Sequence, residues 1–258
     1  MSRLAIVATS ACALASACSA PQSVAAPDAW RRVSDSIRVD TAGNAVEFDA
    51  VSVLKTGFLE EYVCTEGTRE HESLFVFAGK ASEIHAALLL AGLEPGTPGR
   101  WREMKTDDGG FRVEAVPPTG PAVTIRVILA DGRAFPLDHF VRAAPVAEAA
   151  PGARPPHAFV FAGSKFVQNR RTGSERYAAD GSGSLIGLVT FGDETIAPIE
   201  VISDQAEVSA PIWEAFTERM PEPGTAVRIR IRSENNADKK KGPVETEPQT
   251  EPFRGQGK

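Results

Sequence analysis

The chain has 258 residues, 42% of them hydrophobic, with 28 basic against 34 acidic side chains and a formal charge of −6. That balance argues against nucleic acid as a partner, because phosphate binding needs a basic face. Three cysteines are too few for a disulfide framework, so stability must come from a hydrophobic core, and the chain is long enough to bury one.

Met1–Cys18 reads as an export signal: Arg3 supplies the charge, Leu4–Leu14 the apolar region, and small residues lead to Cys18. The apolar run is shorter than the about 20 residues that a membrane-spanning helix needs. Ala15-Ser16-Ala17-Cys18 resembles the lipobox of bacterial lipoproteins, in which the cysteine is lipidated and becomes the mature N-terminus. This makes Cys18 the expected site of lipid attachment; ordinary cleavage after Ala17 or Ala25 is the alternative. The implied location is the bacterial cell envelope, anchored to a membrane through lipid and facing the periplasm in a Gram-negative cell. Residues 19–29, rich in small residues and proline, read as a flexible tether. After processing, Cys64 is the remaining thiol.

Residues 30–232 are expected to form one α+β domain of mostly antiparallel strands with two short helices. Ile37–Val39 and Ala45–Phe48, split by Asp40–Asn44, read as strand, turn and strand. Val51–Leu54 and Phe58–Cys64 read as strand, with Thr65–Thr68 as a tight turn in which Gly67 takes positive φ. Arg69–Phe77 is then the return strand of a hairpin. A two-residue Glu66-Gly67 loop sets Cys64 opposite Arg69 and Tyr62 opposite His71, so that these four side chains share a face. A one-residue bulge would instead put Cys64 and His71 on opposite faces.

Ser82 is the expected N-cap of a helix over Glu83–Ala91, with Glu83 in its first turn. Ile84, Ala87, Leu88 and Ala91 form its core stripe, which Leu89 and Leu90 widen until the helix is apolar nearly all round. Gly92 stops it. Arg100–Gly110 reads as a polar loop; Phe111–Val116 and Ala122–Leu129 read as strands, and Asp131-Gly132 as the turn into Ala134–Val141. Residues 143–156, rich in Ala, Pro and Gly, are the one internal excursion. His157–Val167 and Ser174–Ala179 are further strands, and Asp180–Gly183 is a hairpin loop before Leu185–Phe191. Ile196–Val201 is a short strand. Pro211–Met220 is the expected second helix, capped by Ser209, and Thr225–Ile231 the last strand. Residues 233–258 are charged, Pro-rich and nearly free of apolar side chains, the composition of a disordered tail.

Two kinds of chemistry are open. Cys64, His71 and His85, with Glu70 or Glu72 as a carboxylate ligand, have the donor types for zinc or copper, although their spacing matches no standard motif. Alternatively Cys64 is a nucleophile whose thiolate Arg69 and His71 favour, against the bland reading of a buried cysteine acting as a small hydrophobe. Serine hydrolase and dinucleotide-binding signatures are missing. No Gly-x-Ser-x-Gly elbow occurs, and no helix is expected to follow Asp180–Gly183.

The runs Cys64–Ser73, Ile84–Leu89 and Gly92–Gly96, with the softer blocks Phe159–Phe166 and Ala179–Ile186, resemble the signature of the YdjY-like domain over roughly residues 45–232. The resemblance implies an exported bacterial envelope protein and supplies no reaction. The leading reading is a non-enzymatic binding or accessory module without a cofactor, its protein or small-molecule partner unnamed by the sequence. A metal- or thiol-dependent protein built on the Cys/His cluster is the rival.

Overall fold

The computed structural model describes residues 30–107, 109–144, 154–168, 171–203 and 213–234. The export signal, Cys18, the tether, most of the Ala/Pro excursion, and the tail beyond Glu234 lie outside the described residues.

Eight strands close a barrel: β1 Ala45–Ser52, β2 Glu61–Thr65, β3 Ser73–Phe77, β4 Ala122–Ile128, β5 Phe159–Phe161, β6 Ser184–Gly187, β7 Ile196–Pro198 and β8 Ala226–Ser233. Around the barrel the order is β1-β8-β4-β5-β7-β6-β2-β3, and β3 returns to β1 through Val51↔Val76 and Ser52↔Phe75. Strand accounts for 43% of the structure and helix for 11%. The expected α+β class is therefore wrong: this is a mostly-β barrel. The antiparallel expectation holds for six of the eight seams, while β2–β3 and β6–β7 are parallel.

Period-two alternation explains the barrel wall. Val227, Ile229 and Ile231 of β8 point into the core opposite Ala50, Phe48 and Val46 of β1, and β4 adds Val123, Ile125 and Val127. Arg228, Arg230 and Arg232 alternate onto the outer face. The strand Ile37–Asp40 extends the sheet beyond β1, as the strand–turn–strand signature predicts, and Arg31–Arg32 pairs with it in turn.

Helix α1, Ala81–Leu90, packs on β1 and on Ile37–Asp40, burying Ala81, Ile84, Ala87 and Leu88. It begins two residues before the expected start. Ser82 is not its N-cap; the cap comes from elsewhere in the chain. Asp180 accepts the Ser82 backbone N–H at 2.8 Å and its hydroxyl at 2.7 Å, satisfying a first-turn donor. Gly92, at φ +85°, ends the helix as expected, with the Leu93 N–H bonded to the Leu88 carbonyl. Leu89 and Leu90 do not extend the buried stripe; they are 47% and 56% exposed. Asp180 belongs to α2, Ala179–Ser182, a single turn where a hairpin loop is expected.

Three further expectations fail. The second helix is replaced in its described part by strand Trp213–Ala215, which sits between Val141–Ala143 and Phe58–Leu59, and by a turn at 217–220; Pro211 lies outside the described residues. Arg100–Lys105 is no loop but one arm of a projecting ribbon with Phe111–Val116. The third is the Cys64–Arg69 hairpin. Between β2 and β3 the chain turns twice, so β3 runs parallel to β2, with Cys64 beside Val76 and Thr65 beside Phe77. Local bonds enforce this: Thr68 Oγ1 donates to the Thr65 carbonyl at 2.5 Å, Gly67 N–H to Glu70 Oε1 at 2.5 Å, and Ser73 Oγ to the Arg69 carbonyl at 2.6 Å. Such side-chain bonds compete with a ladder, and Glu70–Glu72 becomes a 3₁₀ turn.

Candidate functional site

Cys64 is fully buried on β2, and burial pushes its thiol up; the Ser73 hydroxyl, the Arg69 backbone and the Thr68 hydroxyl surround it. His71 stands on the 3₁₀ turn with its side chain 76% exposed and Nε2 3.6 Å from Glu72 Oε2. Glu72 takes Arg69 Nη1 at 2.8 Å, and Glu70 accepts the Gly67 N–H. His85 is elsewhere, on α1. Its Nδ1 is 2.9 Å from the Tyr177 hydroxyl, its ring packs edge-on against Phe161 and Tyr177, and burial holds its pKa below the ordinary imidazole value. The structure thus gathers Arg69, Glu70, His71 and Glu72 into one turn and gives Cys64 and His85 separate surroundings. Among the described residues no group of three or more His, Cys, Asp or Glu side chains could hold a metal ion.

The barrel also contains polar groups that sequence reading passed over. Glu61 and Glu194 are fully buried. Glu61 pairs across the sheet with Gly187, and a Cβ on Gly187 would lie 2.8 Å from Glu194 Cγ, so the missing side chain is what admits Glu194 beside Glu61. Glu61 Oε1 accepts the Ser184 hydroxyl at 2.5 Å; Glu194 Oε1 accepts the N–H groups of Phe191 and Gly192. The second oxygen of each has no described partner. Burial raises both carboxyls, Glu61 well above its ordinary value, while the Phe191 and Gly192 N–H groups oppose the shift at Glu194. The sequence carried a partial signal, the acid pair Glu60-Glu61 inside the otherwise apolar run Phe58–Cys64, of which the structure buries Glu61.

Glu194 braces the turn that floors a cleft of about 460 Å³. Phe191 and Gly192 form the floor and Ser164 part of the wall; Arg100 and Trp101 reach it from the Arg100–Lys105 ribbon, and Lys165 stands at the foot of a second ribbon, Phe166–Gln168 paired with Glu175–Tyr177. Arg69 lies 3.8 Å over the Phe191 ring from behind. Ser164 is held at φ +53°, uncommon outside glycine, by Oγ donating to the Asp193 carbonyl at 2.6 Å while it accepts the Ala179 N–H at 3.3 Å. The Tyr177 hydroxyl links His85 to Thr195 Oγ1 at 3.1 Å. The walls are therefore pinned from inside, while the rim is exposed and cationic. Neither Arg100 nor Lys165 has an ion-pair partner among the described residues. Reading Arg100–Gly110 as loop hid this rim.

A family model for the YdjY domain matches residues 36–232, well over half of the chain. The chain belongs to the YdjY domain family. No curated protein and no solved structure matches it. The YdjY domain, so bounded, takes in the whole barrel except Ser233 of β8, α1, and both ribbons that shape the cleft. The Cys64–Ser73 run that carried the resemblance makes the β2–β3 crossover of the YdjY domain, and the Phe159–Phe166 block makes β5 and the bend into the cleft wall.

Proposed function

We propose that this YdjY-domain protein is an exported, lipid-anchored binding module of the bacterial cell envelope, and that the cleft between the two ribbons is its ligand site. The observation that carries the reading is the pairing of two uncompensated cations, Arg100 and Lys165, with the half-exposed Trp101 around a braced floor. The cleft has the size of a small-molecule site, and this rim fits a ligand with an anionic group and a flat or apolar portion that stacks on indole. A thiol- or metal-dependent activity would first require Cys64 to leave its buried position.

The test uses the anionic aromatic dye anilinonaphthalene sulfonate as probe. It should bind the folded protein with a fixed stoichiometry, and Trp101→Ala and Lys165→Gln should each weaken it severalfold without changing the melting temperature. No binding, or binding that both variants retain, would remove the cleft as the site. The anchor is tested separately: Cys18→Ser should change the mature mass and release the protein from membranes, and an unchanged mass would end the lipoprotein reading.

A further inference from the structure

The outer face of the barrel carries a row of charge across five strands. In register, Arg32 pairs with Arg38, Arg38 with Glu47, Glu47 with Arg230, and Arg230 with Arg126. One row further along, Arg232 pairs with Thr124. Residues paired in this way share a face. The compensation is uneven. Arg38, Arg228 and Arg230 share two carboxylates, Glu47 and Asp49, and exposed Arg32 lies 3.7 Å from Asp35. Arg126 and Arg232 are exposed, and neither guanidinium has a partner among the described residues. Arg126, Arg230, Arg232 and Thr124 line one shallow depression. Placing Arg126 directly opposite Arg230 opposes folding, so the fold tolerates a local excess of positive charge in a chain that is acidic overall.

The same face is where the N-terminal segment departs. Trp30 is the first described residue, and the Arg230 guanidinium stands 5.3 Å from its ring centroid. Twelve positions separate Trp30 from Cys18, a reach of roughly 40 Å at most when extended. A tether that leaves from a point beside the arginines keeps that face within its own reach of whatever holds the tether.

We propose that the Arg126–Arg230–Arg232 face is a membrane-apposed surface that contacts the phosphate groups of anionic phospholipid, with Trp30 at the headgroup level. Its orientation rests on the anchor reading of Cys18; its affinity for anionic lipid does not. Guanidinium groups suit phosphate through their forked donors. Each basic residue near an anionic bilayer contributes roughly fivefold in binding, and the contribution is screened by salt.

The experiment uses the unlipidated processed chain, Ser19–Lys258, which retains every described residue. It is sedimented with vesicles of phosphatidylcholine alone and of phosphatidylcholine mixed with phosphatidylglycerol. The chain should bind the mixed vesicles and not the neutral ones. The double variant Arg126→Gln/Arg232→Gln should lose on the order of tenfold or more of that binding, while Arg112→Gln, on the Phe111–Val116 arm of the ribbon and outside the depression, should leave it unchanged. Neither variant should melt below the parent, and the double variant, relieved of the Arg126–Arg230 repulsion, should melt at or above it. No binding to the mixed vesicles, or equal binding by the double variant, would overturn the proposal. So would displacement by inorganic phosphate beyond that caused by chloride at the same ionic strength, which would assign the site to a free anion. Because no lipid is attached, failure here leaves the anchor to be judged by Cys18→Ser alone.

Discussion

Burial raises the Glu61 carboxyl far above its ordinary range; the Ser184 hydrogen bond opposes the shift and the neighbouring Glu194 adds to it. Such a carboxyl binds more protons folded than unfolded between its two pKa values, so its contribution is complete at low pH. Stability is lost as pH rises above the unfolded value of about 4.3 toward the folded one. Glu61→Gln keeps an acceptor for Ser184 and removes the titration, so the variant should melt higher than the parent at pH 8, with the gap narrowing toward pH 5. A parallel pair of melting curves would assign the pH dependence elsewhere. His85 has the opposite sign: burial lowers it, so its contribution is lost as pH falls below the ordinary imidazole value of about 6.5. Cys64 should resist a disulfide-exchange reagent in the folded protein and react at once in denaturant, because its thiol is enclosed and pushed up. Rapid reaction in the native state would reopen the nucleophile reading.

Helix α1 was legible because its stripe is long and regular and its stop is a glycine. Leu88 is fully buried, so Leu88→Ala should cost about 2–5 kcal/mol in denaturant titration, while Leu90→Gln on the exposed flank should stay within about 0.5 kcal/mol. A small effect at Leu88 would contradict its packing. The start of the helix was illegible, because its cap is Asp180, 98 residues from Ser82. The β2–β3 segment shows a different failure. Its alternation and its glycine turn both read as a hairpin, while the Thr68, Glu70 and Ser73 side-chain bonds and the Glu72 N–H to Arg69 carbonyl bond accompany a second reversal of the chain. Close approach marks the element joints. Gly120 sits at φ +136° with a notional Cβ 2.2 Å from the Phe161 carbonyl oxygen. Gly120→Ala should therefore destabilise by more than about 1 kcal/mol, and a neutral result would mean the joint can open.

Barrel closure is the property that the sequence least displayed. It depends on two register positions between β1 and β3 and on parallel seams whose partners are set by crossovers, neither of which leaves a periodic trace. The strand inventory was largely readable, and the class was not. The cleft was hidden for the same reason, since it exists only where two ribbons and the Phe191–Glu194 turn meet. The tail composition predicts that removing residues 235–258 leaves the melting temperature unchanged; Ser233 and Glu234 should be kept, because their N–H groups bond the Asn44 and Ala122 carbonyls. A clear drop on that truncation would show that the tail docks.

The position of β8 has a consequence for how the molecule is made. The last described strand is not at a margin; it lies between β1 and β4 and pairs with both along most of its length. A chain emerging N-terminus first therefore presents β1 and β4 with unpaired edges until residues 226–233 arrive. At roughly 5–20 residues per second, that interval after β1 lasts on the order of ten to thirty seconds. Even when the other seven strands are made the ring still lacks this stave and cannot seal its core. A keystone placed last keeps the whole chain pliable until its final strand is made.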